Sequence, residues 1–305
     1  MREITIAGGG LAGLSLGIGL VRRGVPVTIH EAGSYPRHRV CGEFISGATR
    51  ETLEHLGIAG VFDGALRHHS VCWWSGNEAV LRSQLPEPAV GISRFQLDQE
   101  LAARFVDDGG VLVEHSRRAD PVREGLVWAT GRRADRQSRW LGLKLHLRGF
   151  QTSADLEMHL GTRCYVGLAP VEDGRVNLCG LFERRNMGGK GYGLLQSYLT
   201  ASGLGGLVER MRAAEPVEAS FVGVSAFRLG KQEAAAGSCA LGDADCMIPP
   251  FTGNGMSMAF QAAESALYPL AAYAAGEMAW QECVTRVRRQ ARRRFKKRLT
   301  AAGAL

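Results

Sequence analysis

The sequence predicts an α/β fold in which a parallel-stranded domain, made of separated chain segments, is interleaved with a second domain built mainly of β-sheet. Three observations carry that reading. A strand, a glycine-rich turn, a helix and a second strand follow one another from Ile4 to His30; a strand, a Gly-Asp step and a glycine-opened helix recur from Ser238 to Met256; and strand-like segments fill the stretch between. The chain has 305 residues, 45% of them apolar, enough for roughly two compact units. Its 40 glycines follow no three-residue period and fall within apolar segments, as in a protein with many strand-to-helix turns.

At the N-terminus, Arg2 followed by the apolar run Ile4 to Val21 has the outline of a secretory signal, but the glycine placement argues against one. Ile4 to Ala7 read as a buried strand, Gly8, Gly10 and Gly13 form G-x-G-x-x-G, Leu14 to Arg23 continue as a helix, and Val25 to His30 form the next strand. Glu31 lies 18 residues beyond Gly13, near the roughly 20 expected of an acid that holds a ribose hydroxyl. Gly8 permits the tight turn, Gly10 lets the backbone approach a pyrophosphate, Gly13 lets helix pack on strand, and the helix N-terminus offers free N–H groups to phosphate. This is a Rossmann-like dinucleotide site. The acid at Glu31 favours a ribose with free hydroxyls, so FAD or NAD fits and NADP fits poorly.

Further along, Val71 to Trp74, Gly142 to Leu147, Ala154 to Leu160, Cys164 to Leu168 and Arg175 to Phe182 read as strands of a substrate-side sheet. In Leu143-Lys144-Leu145-His146-Leu147 the alternation describes a half-exposed strand with Lys144 and His146 on its open face, a face that could also line a pocket. The polar candidates there are His146, His159 and Tyr165. Arg94 stands just before a helix from Gln96 to Asp107, where the local sequence describes a solvated helix-start charge or a salt bridge with Asp98. The expected organisation is cofactor-binding segments at 1–60, 91–135 and 221–305 around sheet segments at 61–90 and 136–220.

The segment Ser238-Cys-Ala-Leu-Gly242-Asp243-Ala-Asp-Cys-Met-Ile-Pro-Pro250-Phe-Thr-Gly253-Asn254-Gly255-Met256 resembles the second FAD fingerprint of the flavin monooxygenase (aromatic hydroxylase) and geranylgeranyl reductase superfamily. The resemblance implies that Asp243 binds the ribityl chain and that the helix start after Gly253 faces the pyrimidine end of the flavin, where helix N–H groups stabilise negative charge. Arg37-His-Arg39-Val-Cys41-Gly42-Glu43 resembles the Cys-Gly loop of the reductase branch, which lies by the flavin; Cys41 could equally be a small buried residue. The implied cofactor is FAD, held by Gly8, Gly10, Gly13, Glu31, Arg39, Arg94, Thr130, Gly131, Gly242, Asp243, Pro250, Gly253, Asn254, Gly255 and Met256, with Cys41, His146, His159 and Tyr165 as pocket candidates.

Two departures from that superfamily bear on chemistry. Val127-Trp-Ala-Thr130-Gly131 stands where hydroxylases carry A-D-G, so direct reduction by NAD(P)H is in doubt and a partner reductase is an alternative donor. Tyr165-Val-Gly167-Leu-Ala169-Pro170 stands where geranylgeranyl reductases carry an aromatic segment, and losing two rings of about 150–250 Å² each changes the cavity. Trp73 and Trp74 are adjacent, unlike the spaced pair of the halogenase branch. The chain is also short for this superfamily, so a C-terminal segment that covers the substrate in relatives is expected to be missing. Three function classes follow: a flavin hydroxylase of lipophilic aromatic or polyketide-like molecules, a flavin reductase of C=C bonds, and an FAD-binding protein without turnover of its own.

The net charge of +7 is concentrated in Arg286 to Arg298, which holds nine basic residues; without them 28 basic residues face 30 acidic ones. That excludes a nucleic-acid-binding body by charge. In the same segment Val284, Val287, Ala291, Phe295 and Leu299 form an apolar stripe, which either docks on the flavin domain or lies on an anionic membrane. Seven cysteines with no C-x-x-C pair signal neither disulfides nor zinc, and a reducing cytoplasmic compartment is expected. No metal motif stands out.

Overall fold

The computed structural model describes residues 1–118, 122–132, 134–135, 137–232, 235, 237–248 and 253–303. In chain order the elements are β1 (Ile4–Ala7), α1 (Leu11–Val21), β2 (Val27–His30), β3 (Phe44–Ile45), α2 (Arg50–Leu56), β4 (Leu66–Ser75), β5 (Glu78–Gly91), α3 (Arg94–Asp107), β6 (Val111–Val113), β7 (Leu126–Trp128), β8 (Trp140–Arg148) and β9 (Leu156–Gly161). They continue with β10 (Cys164–Val171), β11 (Arg175–Glu183), α4 (Gly191–Ala201), α5 (Gly205–Met211), β12 (Glu215–Ser225), β13 (Gly230–Lys231), β14 (Cys239–Ala240), β15 (Cys246–Met247), α6 (Gly255–Ala275) and α7 (Trp280–Gly303).

Two sheets organise the chain. The first, ordered β14-β7-β1-β2-β6, is parallel throughout. Its central strand β1 is buried along its whole length, and α1 packs beside it between α3 and α6; Ile4, Ile6, Leu14, Leu16, Ile29, Phe105 and Phe260 are fully buried in one cluster. The second sheet, ordered β12-β8-β11-β10-β9-β4-β5-β3, is antiparallel except where β4 runs parallel to β9. On one of its faces Leu143, Leu145, Leu147, Val166, Leu168 and Leu178 pack under α4 and α5, elements that the sequence reading did not identify. Its other face meets the dinucleotide domain.

The expected segment boundaries shift in three places. Position 221 falls inside β12, which stays in the second sheet to Ser225; position 91 ends β5 rather than opening a new segment; and β3, inside the first expected cofactor segment, pairs with β5. Expected half-exposed, β8 is covered on both faces, with Lys144 and His146 at 0% exposure. Nothing local in Leu-Lys-Leu-His-Leu reveals that a second domain closes over the polar side.

Candidate functional site: a dinucleotide cleft and a buried polar seam

Four segments reach the carboxyl ends of the parallel strands together: Gly8 after β1, Glu31 after β2, Thr130 after β7 and Gly242 after β14. In an open parallel sheet this edge is where ligands bind, because helix N-termini converge on it. The glycines here are required by contact. At Gly8, with φ of 108°, an added Cβ would lie 2.3 Å from Ala129 O, and at Gly13 it would lie 2.0 Å from Gly8 O. At Gly10 an added Cβ would meet nothing within 4 Å, so the backbone there borders open space, and α1 begins on it with no side-chain cap on its first amides.

Glu31 is bound into the turn it was expected to serve. Its Oε2 accepts from Gly9 N–H at 2.8 Å and its Oε1 from Gly33 N–H at 2.9 Å, while Arg37 Nη2 lies 2.5 Å from Oε1. Burial pushes its pKa up, but the amides of Gly33 and Gly9 and the Arg37 and Arg39 guanidiniums outweigh that and hold the carboxyl below its ordinary value. From Glu31 a chain of alternating charge runs inward: Arg39 donates from Nε to Asp98 Oδ2 at 2.9 Å, and Arg94 grips the same carboxylate at 2.6 and 2.8 Å. The salt-bridge alternative for Arg94 is thus the one seen.

Asp243 stands apart from that ladder. Desolvation pushes its pKa up to about 6, against the pull of the Arg94 and Arg132 charges. It sits in a 3-10 turn, Gly242–Ala244, and an added Cβ on Gly242 would touch Ala12 at 3.2 Å, which brings the second glycine motif onto the first turn of α1. Gly253, with φ of 65°, precedes Gly255, where α6 starts with Met256 buried behind it, and Gly242, Asp243 and Gly255 line one pocket. Pro250 lies outside the described residues. Gly131, with φ of 76°, follows Thr130 in the loop after β7, and Thr130 is exposed. Asn254 forms the step into α6 and its carbonyl accepts from Met258 N–H at 2.9 Å.

The second half of the site lies where the sheet meets the segment His38 to Glu43. Cross-strand register puts Lys144 opposite Cys179, which is opposite Gly167; His146 is opposite Asn177, which is opposite Ala169; and Gly142 is opposite Leu181, which is opposite Tyr165. Opposed residues share a face, so these nine positions form one patch facing the dinucleotide domain. Glu43, fully buried and with φ of 53°, is at its centre. Its Oε2 lies 2.6 Å from His146 Nε2, its Oε1 lies 3.4 Å from Lys144 Nζ, and Arg94 N–H donates to Oε1 at 3.0 Å. Burial raises the Glu43 pKa, and the His146 hydrogen bond and the Lys144 charge together bring it below its ordinary value. Lys144 Nζ also reaches His38 Nδ1 at 3.2 Å, and burial with that ammonium drives His38 down to about 4. A β-bulge between Val217 and Val222 of β12 lets Ser220 Oγ accept from His146 N–H at 2.7 Å.

Tyr165 belongs to this patch, where burial raises its phenol well above the ordinary value among Leu181, Phe227 and Met247. The Cys41 carbonyl accepts from Asn177 Nδ2 at 3.0 Å, and burial pushes the Cys41 thiol above its ordinary value. His159 does not belong. It is opposite Val166 and therefore points to the helix-covered face, where it bonds Glu157 at 2.9 Å and stacks on Trp74 at 5.5 Å. Arg210 of α5 closes that group with two 2.9 Å bonds to Glu157. The sequence reading passed over Glu43, Asp98 and Asn177 as site residues; the available signal for Asn177 was a polar residue inside an apolar strand, Val176 to Phe182.

A search of family models finds no match. The chain is 26% identical over 127 residues to a menaquinone reductase of Mycolicibacterium smegmatis, covering 40% of this chain and 31% of the relative. It is 29% identical over 169 residues to the 3-amino-4-hydroxybenzoate 2-monooxygenase PtmB3 of Streptomyces platensis, covering 52% and 41%. These alignments therefore span less than half the length of either relative. Among solved structures, the flavin-dependent brominase Bmp2 superposes with a TM-score of 0.77 at 17% identity, over 95% of this chain and 84% of that one. The fold is that of flavin-dependent monooxygenases and halogenases. A P. aeruginosa PqsL structure in complex with 2-aminobenzoylacetate matches 99% of this chain and 94% of that one, with a TM-score of 0.72 at 15% identity.

Proposed function

We propose that the protein is an FAD-dependent oxidoreductase, a monooxygenase acting on a lipophilic aromatic small molecule. The observation that carries the cofactor is the cleft itself. Arg39 Nη2 is buried with no hydrogen-bond partner among the described residues, the first amides of α1 carry no side-chain cap, and Gly10 borders open space. A diphosphate supplies the acceptor that each of these lacks. The surrounding cations, Arg37, Arg39, Arg94 and Arg132, outnumber the acids Glu31, Asp98 and Asp243, which suits a group of negative charge.

When bound, FAD would supply the redox chemistry and the activation of dioxygen. The chain's residues do the rest. Gly8 to Gly13 and the α1 amides hold the diphosphate, Glu31 fixes the turn beside the adenosine end, and Asp243 accepts from a ribityl hydroxyl. Tyr165, Leu181, Phe227 and Met247 keep the side toward the second sheet dry, which is the condition for oxygen transfer to outrun loss to water. The fold and the monooxygenase relative favour oxygen transfer over C=C reduction; the Gly167 and Ala169 positions, lacking the large rings of the isoprenoid-reducing branch, point the same way. The electron donor we assign to a partner flavin reductase, because Thr130 stands in place of the acid.

Labelled dioxygen tests the reading: product from the FAD-loaded protein, reductant and ¹⁸O₂ should carry the label, and unlabelled product would overturn it. Under anaerobic stopped flow, NADH or NADPH alone should reduce the flavin more slowly than the usual turnover range of about 1–1000 per second.

Contact with a membrane surface is a further part of this proposal. The stripe Val284, Val287, Ala291 and Phe295 is buried against the fold, so the docking alternative holds for the apolar side of α7. Its exposed side still carries Arg289, Arg292, Arg293, Lys296 and Lys297, whereas Arg294 is 2.6 Å from Glu264 and Arg298 bonds Gln261. No helix among the described residues is long and apolar enough to cross a membrane.

A further inference from the structure

The polar seam leaves two atoms with no hydrogen-bond partner among the described residues, His146 Nδ1 and Asn177 Oδ1. Both side chains are 0% exposed, and the two residues are directly opposed across β8 and β11. They therefore stand side by side on the face toward the dinucleotide domain, with Cβ atoms about 4.5–5.5 Å apart. Buried polar atoms are nearly always paired, so an adjacent pair of unpaired ones indicates what would pair them.

Each residue is anchored at its other end, and the anchoring sets its chemical sense. His146 Nε2 lies 2.6 Å from Glu43 Oε2 and must donate to it, which in the neutral ring leaves Nδ1 as a bare lone pair. Lys144, with Nζ 3.4 Å from Glu43, already balances that carboxylate. Asn177 Nδ2 donates to Cys41 O at 3.0 Å, which leaves Oδ1 as the free end. Turning the amide round would set Oδ1 against the Cys41 carbonyl, acceptor against acceptor. The seam thus presents two neighbouring acceptors. A hydroxyl has one proton and satisfies one of them; a primary amine has two N–H groups and satisfies both.

The surroundings select the rest of the ligand. His38 stands edge-on to His146 at 5.2 Å and is itself stacked on Phe95 at 4.5 Å; the next row of the same face is Lys144, Cys179 and Gly167, the last of which brings no side chain, and Tyr165 and Leu181 stand in the row beyond. Flat walls of this kind suit a ring. We propose that His146 and Asn177 form a subsite for the amino group of an aromatic amine, positioned by Glu43 through His146. The inference deepens the monooxygenase reading and rests on it, since an amine makes a ring electron-rich.

The test uses the full chain, loaded with FAD and labelled with ¹⁵N at histidine, titrated in turn with aniline, phenol and toluene. The His146 Nδ1 resonance is assigned by its absence in His146→Gln. Aniline should move that resonance saturably and bind roughly tenfold more tightly than toluene, with phenol between them. Asn177→Leu should lose about five- to tenfold in aniline affinity, the effect of about one hydrogen bond, with toluene unchanged. Equal affinity for aniline and toluene, or unchanged aniline binding in Asn177→Leu, would overturn the proposal. So would an Nδ1 resonance that is protonated and indifferent to aniline, meaning that the ring bonds Asn177 directly. Should Asn177→Leu not fold, the wild-type titration decides alone. Flavin absorbance is read on the same samples: no flavin with an intact aniline response counts against the monooxygenase reading only, and bound flavin with no aniline response counts against this subsite only.

Discussion

Along β8, β10 and β11 the two faces of the second sheet are made by the same strands and are both largely buried, yet they are built differently. Toward α4 and α5, leucines and valines fill the space and the buried group Arg210–Glu157–His159 has its charges matched, although His159 Nδ1 and the Trp74 Nε1 stacked beside it have no hydrogen-bond partner among the described residues: burial raises the Glu157 carboxyl, but His159, Arg210 and the Ser153 amide together hold it far below its ordinary range. Toward the dinucleotide domain, alternate residues of the same strands are Lys144, His146, Asn177 and Tyr165, and there His146 Nδ1 and Asn177 Oδ1, on directly opposed residues, have no hydrogen-bond partner among the described residues. A buried polar group that is fully matched holds a fold together. Two unpaired acceptors opposed across neighbouring strands, as His146 Nδ1 and Asn177 Oδ1 are, make a place where one donor group can satisfy both.

The largest expected difference is between the two buried glutamates. Glu43→Leu leaves Lys144 uncompensated at 0% exposure and should cost about 3–5 kcal/mol in denaturant unfolding. Glu157→Leu should cost less, about 1–3 kcal/mol, because Arg210 is 31% exposed and can turn to water. Equal losses would mean that the two faces do not differ in the way described.

The pH dependence should differ in sign as well. Asp243, raised to about 6 from 3.8, binds more protons folded than unfolded across that interval, so its contribution makes the apoprotein less stable as pH rises from about 4 to 6. Glu157 is depressed when folded, so its contribution is present above the ordinary carboxylate range and is lost as pH falls through it. Thermal melts of Asp243→Asn should lose the first slope and those of Glu157→Gln the second. A melt profile unchanged by Asp243→Asn would remove the cleft's distinctive acid.

How much of this was legible in the sequence follows from the range of the interactions. Gly8, Gly10, Gly13 and Glu31 lie within one strand-helix-strand unit, so their spacing alone discloses a turn, a helix start and an acid at the next strand end. Asp243 was legible because a second local motif surrounds it. His146 was read with the wrong burial and His159 with the wrong function, since which side of a strand faces which domain depends on register with strands far along the chain. Glu43 pairs with a histidine 103 residues away, and no local pattern encodes that.

His159→Phe separates the faces more finely. It should lower stability by about 1 kcal/mol through the lost bond to Glu157 and leave flavin occupancy and aniline affinity unchanged; a change in either would bring His159 back into the site. The smallest effect belongs to the surface. Gln substitutions at Arg292, Arg293, Lys296 and Lys297 should each weaken co-sedimentation with anionic vesicles by about 1 kcal/mol, and high salt should abolish it, since the Debye length is about 10 Å at 0.1 M. Binding to neutral vesicles, or none to anionic ones at low salt, would leave α7 as a structural helix.

The central claim is that the parallel-sheet edge holds FAD, with Asp243 on the ribityl chain. Flavin absorbance retained after gel filtration of the reconstituted protein measures it directly. One flavin per chain is expected for the wild type, and Asp243→Ala should bind it more weakly by about 1.5–3 kcal/mol, the value of a charge-assisted hydrogen bond. No retained flavin, or equal retention by Asp243→Ala at limiting FAD, would contradict it.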